Sequence, residues 1–166
     1  ASVGAVNGCG WRLRGGLTLP EGLNLVHVLA NDPSSNFGRN LTQLLQANGV
    51  TTVDNSQAAQ ITIKTGELKE SRRVVSTGGN TLVTEYELES SVPFSVEDNQ
   101  GNTLIPTETA KTTRAYEFDQ NDIVGKAQEE RLIQSEMQRD LIQQIVRRLR
   151  FIDSGTQSNN QTNNKE

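Results

Sequence analysis

The strongest pattern in the chain is an alternation between residues 82 and 96. Leu82, Tyr86, Leu88, Val92, Phe94 and Val96 fall on even positions, and Val83, Glu85, Glu87, Glu89, Ser91 and Ser95 on odd ones. Successive side chains of a strand point to opposite faces, so this segment predicts a long strand with one buried and one polar face. Ser76-Thr77-Gly78-Gly79-Asn80 precedes it and Asp98-Asn99-Gln100-Gly101-Asn102 follows it. Both have the composition of hairpin turns. They join it to a strand at about residues 59–68 and to a threonine-rich strand at about 104–118, where Pro106 must sit near the start or on an edge. The three strands predict an antiparallel meander.

Elsewhere the period changes. Residues 23–30, Leu-Asn-Leu-Val-His-Val-Leu-Ala, are short and aliphatic and predict a buried strand. After the turn Asn31-Asp32-Pro33-Ser34-Ser35, the residues Phe37, Leu41, Leu44 and Leu45 recur at helical spacing, and Asn48-Gly49 supplies the left-handed cap. A long helix is expected from about residue 122 to 152. Ile133, Met137, Leu141, Ile145 and Leu149 line one face, and Ile142 and Val146 widen the stripe. Glu129 and Glu130 lie in its early turns and Arg147, Arg148 and Arg150 in its last, an order that suits the helix dipole. The sum is β-α-β-β-β-α. It predicts an α+β two-layer sandwich: a four-stranded, mostly antiparallel sheet with two helices on one face and a polar, open second face.

A chain of 166 residues fits one domain. Hydrophobic residues make up 33% and aromatic residues 4%, so the core must rest on Leu, Ile and Val. The net charge of −4 gives no global basic field and argues against nucleic acid as a partner. No stretch approaches the length of a transmembrane helix.

The chemistry of catalysis is thin. The single histidine, His27, lies inside an apolar strand and reads as structural. No nucleophile elbow, phosphate loop or zinc-protease helix occurs. Glu85, Glu87 and Glu89 share one strand face and could hold a divalent cation. Pairing across strands with Lys111 or Arg114, or simple solvation, is the favoured reading. No catalytic residue and no metal ligand is therefore assigned.

The cations are more informative. Lys64, Lys69, Arg72 and Arg73 crowd the second strand and its hairpin, with Lys111 and Arg114 on the last strand. Lys126 stands near the start of the long helix, where the dipole favours anions. It is either a surface lysine paired with Glu129 or Glu130, or one arm of an anion site.

The only cysteine, Cys9, follows the small, weakly apolar run Ala-Ser-Val-Gly-Ala-Val-Asn-Gly. One thiol makes no internal disulfide and no thiolate metal cluster. It reads either as the acceptor of a bacterial lipoprotein or as a small buried thiol.

The segment Cys-Gly-Trp-Arg-Leu-Arg-Gly at 9–15 resembles the mature start of the LptE family of lipopolysaccharide-assembly lipoproteins, in which Cys-Gly-aromatic-x-Leu-Arg follows the cleavage site. Further similarities are Leu44-Leu45-Gln46-Ala47-Asn48-Gly49-Val50, Thr84-Glu85-Tyr86, and Phe118-Asp119 followed by Lys126. The chain departs from the pattern at Asn7, where a small residue is usual, and at Gly78-Gly79, where some members carry a cation.

The resemblance implies a non-enzymatic lipoprotein at the periplasmic face of the outer membrane. Cys9 would carry a covalent lipid, and Gly10 after it implies outer-membrane sorting. The partners implied are the barrel protein LptD, in a 1:1 complex that the chain plugs, and lipopolysaccharide itself. Lys126 with Arg72 or Arg73 are then the first candidates for contacts to lipopolysaccharide phosphate. Residues 1–8 would be a signal remnant or disordered, 9–22 the anchor segment and linker, 23–152 the folded domain, and 153–166 a disordered tail. An unrelated lipid-anchored binding or scaffold module, such as one for peptidoglycan, is the alternative. A lipid-anchored hydrolase would need a nucleophile–base pair that the sequence lacks.

Overall fold

The computed structural model describes residues 19–77, 83–119 and 121–152. Cys9, Leu82, the Gly78-Gly79 tip and the tail at 153–166 lie outside these residues. The elements in chain order are β1 (Leu25–Ala30), α1 (Asn36–Ala47), β2 (Thr51–Val53), β3 (Ile61–Thr65), β4 (Lys69–Thr77), β5 (Val83–Asp98), β6 (Thr103–Asp119) and α2 (Ile123–Leu149).

The fold is α+β, with both helices packed on one sheet, but among the described residues the sheet has six strands rather than four. β1 lies between β2 and β3 and is parallel to both. β3 and β4 then occupy one edge of β5 in succession, both antiparallel to it, and β6 runs antiparallel along the other edge. The expected meander, β3–β5–β6, is antiparallel as paired, but β4 intervenes in the chain, so the hairpin-linked ribbon is β4–β5–β6.

Two features explain the extra strands. β2 has only three residues, too few to show any alternation. β3 is the strand expected at 59–68, and β4, at Lys69–Thr77, was not expected; the two are divided where Pro93 sits midway along β5. Its carbonyl accepts from the Gly66 N–H at 2.8 Å, so this position of β5 faces the β3/β4 edge. Proline has no N–H to return the bond, and the ladder breaks there. A Cβ on Gly66 would stand 2.6 Å from the Pro93 ring, so only glycine permits the approach. β3 ends before this point and β4 begins after it.

The alternation in β5 is realised. Leu88, Ser90, Val92, Phe94 and Val96 are buried under the helices, while the odd positions stay partly exposed. Helix α1 starts at Ser35, whose hydroxyl accepts from the Gly38 N–H at 3.1 Å. Gly49, at φ 86°, turns the chain out of its far end. Phe37, Leu41 and Leu45 of α1 share one core with Val26, Ile61, Ile63, Val92, Phe94, Val96 and Ile105 of the sheet and with Leu141, Ile142, Ile145, Val146 and Leu149 of α2. A second cluster, Leu88, Tyr116 and Met137 with Tyr86, Phe118 and Ile133, lies beneath the first half of α2.

Polar bonds lace α2 to both flanks of the β4–β5–β6 ribbon. Arg72 and Glu70 of β4 reach Glu130 and Gln138, each at 3.0 Å. On the β6 side Arg148 grips Glu108 at 2.8 and 2.5 Å, and Arg114 pairs with Asp140. These bonds are solvent-exposed and fix the helix's direction more than they stabilise it. The apolar stripe supplies the energy, at roughly 1.5–3 kcal/mol for each fully buried aliphatic side chain.

Leu141, fully buried on α2, is the clearest probe of that stripe. Leu141→Ala should lower the unfolding free energy by about 2–5 kcal/mol in urea titrations, with the slope unchanged. A loss below about 1 kcal/mol would mean that the helix does not seal the core. Acid should also weaken the fold. Asp98 is held below the usual carboxylate range by the Asn102 side chain, and Glu108 by the Arg148 guanidinium. A depressed carboxyl stabilises the native state above its unfolded pKa and loses that contribution as the pH falls through its folded value. The urea midpoint should stay level from about pH 7 to 5 and fall below about pH 4. Asp98→Asn should reduce that fall.

Candidate functional site

The cations picked out from the sequence divide between the two faces of the ribbon. Arg72 lies opposite Leu88 in the β4–β5 register and shares its helix-facing side. Arg73, one residue on, projects from the open face and pairs with Glu87 at 2.7 Å. Lys126 stands in the first turn of α2. Asp122 caps that turn, its carboxylate accepting from the Gly125 N–H at 3.1 Å. A Cβ on residue 125 would come within 2.3 Å of this carboxylate, so the cap requires glycine there.

The structure thus brings Arg72 and Lys126 to one place and sends Arg73 to the reverse side. What joins the first two is aromatic. Tyr86 and Tyr116 stack with centroids 6.4 Å apart, and Phe118 meets both edge-on. The Arg72 guanidinium lies 4.6 Å from the Tyr86 centroid and the Lys126 ammonium 5.7 Å from that of Tyr116. The ring faces favour cations, so the two charges rest side by side on an aromatic shelf. The buried Tyr116 hydroxyl donates to the Lys126 carbonyl at 2.6 Å and ties the shelf to the helix. Burial, reinforced by Glu130 and Glu129, pushes that phenol above its ordinary pKa.

Both cations are held from above. Glu130 takes Arg72 at 3.0 Å and Glu129 takes Lys126 at 2.8 Å. The hydrogen bond that the Lys126 ammonium donates to Glu129 raises the lysine's pKa, so it stays charged throughout the neutral range. The two readings of Lys126 therefore meet: it is a paired lysine, and it stands beside a second cation. Exposed aliphatic residues flank the same end of the ribbon, Val74 and Val75 on β4 and Ile123 and Val124 at the start of α2. The sequence did not single out this apolar rim or the tyrosine stack. Tyr86 was legible only as one even-numbered residue in an alternating strand.

The other candidates resolve as structure. His27 donates from Nδ1 to the Val53 carbonyl at 2.8 Å and links β1 to β2. Of the three glutamates on the open face, Glu87 pairs with Arg73 and Glu89 with Lys111 at 2.8 Å, as cross-strand partners do. Arg114, the other cation expected there, faces the helix and pairs with Asp140. Among the described residues no cluster of His, Cys, Asp or Glu is placed to hold a metal ion, and no helix is long and apolar enough to cross a membrane.

Comparison with known proteins bears on the same domain. Residues 23–149 match the family model LptE, described as lipopolysaccharide-assembly. The chain is 28% identical over 157 residues to the LPS-assembly lipoprotein LptE of Yersinia pestis, covering 94% of this chain and 75% of that protein; the Yersinia pseudotuberculosis protein matches equally. Among solved structures, lipoprotein B of Nitrosomonas europaea superposes with a TM-score of 0.69 at 25% identity, covering 83% of this chain and 88% of that one. A minor lipoprotein of Acinetobacter baumannii gives 0.64 at 26% identity, covering 79% and 93%. The match takes in both helices and every strand of the sheet, and on it this chain belongs to the LptE family of lipopolysaccharide-assembly proteins.

Proposed function

We propose that this chain is an outer-membrane lipoprotein that holds lipopolysaccharide by its phosphates while seated in the lumen of an LptD barrel. Lipid on Cys9 tethers it to the periplasmic face of the membrane, and the domain does the work. The observation that carries the reading is the pair Arg72 and Lys126, set side by side on the Tyr86–Tyr116 stack with exposed aliphatics at the same end.

The chemistry suits an amphipathic phosphorylated lipid. Each phosphate oxygen can take the place of a carboxylate oxygen of Glu129 or Glu130, exchanging one charge-assisted hydrogen bond for another. The aliphatic rim offers acyl chains an apolar contact. The exchange is near balance, so binding is reversible, as the handling of a lipid in transit requires. Arg73, on the reverse face, adds a contact only where a ligand wraps around the β4 edge. The open sheet face carries Glu87, Glu89, Lys64, Arg73 and Lys111 and suits the polar lumen of a large barrel. No cofactor enters this function, and the family is non-enzymatic.

The charge-reversed double variant Arg72→Glu/Lys126→Glu tests the site. It should bind lipopolysaccharide at least about tenfold more weakly, since each substitution removes a charged contact and opposes the phosphate. Its circular dichroism should stay native, because the apolar stripe of α2, rather than these two ion pairs, holds the helix on the sheet. Unchanged binding would end the assignment. Co-expression with LptD should yield a 1:1 complex for wild type and variant alike, and failure of the wild type to co-purify would remove the barrel from the proposal.

A further inference from the structure

The outer edge of β6 carries a second surface. β6 has 17 residues and, among the described residues, pairs with β5 on one side only. Which of its backbone groups point outward follows from four bonds. The Gln144 side chain bonds both the N–H and the C=O of Lys111, at 3.3 and 3.1 Å. The Thr113 carbonyl accepts from Arg114, and the Asp119 carbonyl from the Asp122 N–H. Backbone groups of alternate residues point the same way, so the odd positions from 109 to 119 face away from β5.

At Lys111 the edge is closed, because the Gln144 amide stands in for a neighbouring strand. At Asp119 it is closed by the turn into α2. Between these points the N–H and C=O of Ala115 and Glu117, and the N–H of Thr113, meet no partner among the described residues. Thr113, Ala115 and Glu117 are all exposed. Alternating donors and acceptors at this spacing match another extended backbone and little else.

The side chains say what kind of strand fits. Glu117 lies directly opposite Glu85 across the β5–β6 ladder, on the open face. Like charges so placed repel. The next two rows are neutralised, Glu87 by Arg73 and Glu89 by Lys111, but among the described residues neither Glu85 nor Glu117 makes an ion pair. Lys126 lies within electrostatic range of Glu117, yet it is held by Glu129. The open edge and the uncompensated carboxylates thus coincide, and the small Ala115 beside them leaves room for a bulky neighbour.

We propose that the β6 edge from Thr113 to Glu117 is a docking strand for an extended segment of another protein that carries a lysine or arginine facing Glu117. The segment adds a seventh strand, and its cation relieves the Glu85–Glu117 repulsion. This surface is separate from the Arg72–Lys126 shelf and does not depend on lipopolysaccharide binding.

The full chain, labelled with ¹⁵N, is titrated with a nine-residue peptide alternating threonine and lysine, and with its counterpart alternating threonine and glutamate. The lysine peptide should shift the amides of Thr113, Ala115 and Glu117 and slow their hydrogen exchange; the glutamate peptide should not. Ala115→Pro removes an outward N–H without costing a β5–β6 bond and should abolish binding. Glu117→Lys should weaken binding about tenfold, by placing a cation against a cation. Unlike a mutation that merely damages the fold, it should also raise the melting temperature, because it ends the repulsion by Glu85. If Ala115→Pro does not fold, Glu117→Lys and the glutamate peptide still decide. No response to the lysine peptide, equal response to both peptides, or undiminished binding by Glu117→Lys would overturn the proposal.

Discussion

The structure depends on β5 having to satisfy both of its edges while burying only one face. At 16 residues it is too long for a single short neighbour. β6 serves one edge for almost its whole length, and β3 and β4 divide the other at Pro93. The division joins two architectures in one sheet. On one side of the break β3 is hydrogen-bonded to β1, and the sheet is mixed under α1. On the other, β4, β5 and β6 form a three-stranded antiparallel ribbon that only α2 covers. A proline and a glycine therefore separate the sealed core from the part of the molecule that carries the candidate site.

The ribbon has less apolar material to bury than the body. Its cluster is Leu88, Tyr116 and Met137 with partly buried aromatics around them, where the main core draws on both helices and most of the strands. Polar lacing makes up the difference in positioning. Arg72–Glu130 and Glu70–Gln138 hold α2 on the β4 side, and Asp140, Gln144 and Arg148 hold it on the β6 side. The bonds are individually weak, and so they can be exchanged. Arg72 is both a lace for the helix and a cation on the aromatic shelf, so a ligand that takes Arg72 also loosens one tie of α2.

Period and punctuation made most of this legible. The even-position stripe of β5, the Ser35 and Gly49 ends of α1 and the Leu141–Ile145–Leu149 stripe of α2 all follow from residue spacing, because each reports a surface that must meet a core. β2 left no trace, since three residues carry no period. The break between β3 and β4 was written in Pro93 and Gly66, but its meaning lay in pairing: a proline is informative only once its neighbours in the sheet are known. The same holds for the site. Lys126 and Arg72 were visible as cations, but strand parity decided that Arg72 joins Lys126 and Arg73 does not. The Tyr86–Tyr116 stack needed the β5–β6 register, which no local pattern specifies.

That parity also explains how one ribbon offers two unlike surfaces without interference. Neighbouring residues of a strand face opposite ways, so Arg72 and Arg73, adjacent in sequence, belong to different electrostatic environments. On the helix side the cations are gathered on aromatic rings and restrained by glutamates, a setting suited to exchange one anion for another. On the open side the carboxylates of β5 meet cations in two rows and another carboxylate in the third, next to a stretch of β6 edge that neither Gln144 nor the α2 turn covers. A ligand on the first surface and a strand on the second would approach from different faces and compete for no atom. Their communication would run through α2, whose capped first turn holds Lys126 on one surface and closes the edge at Asp119 on the other.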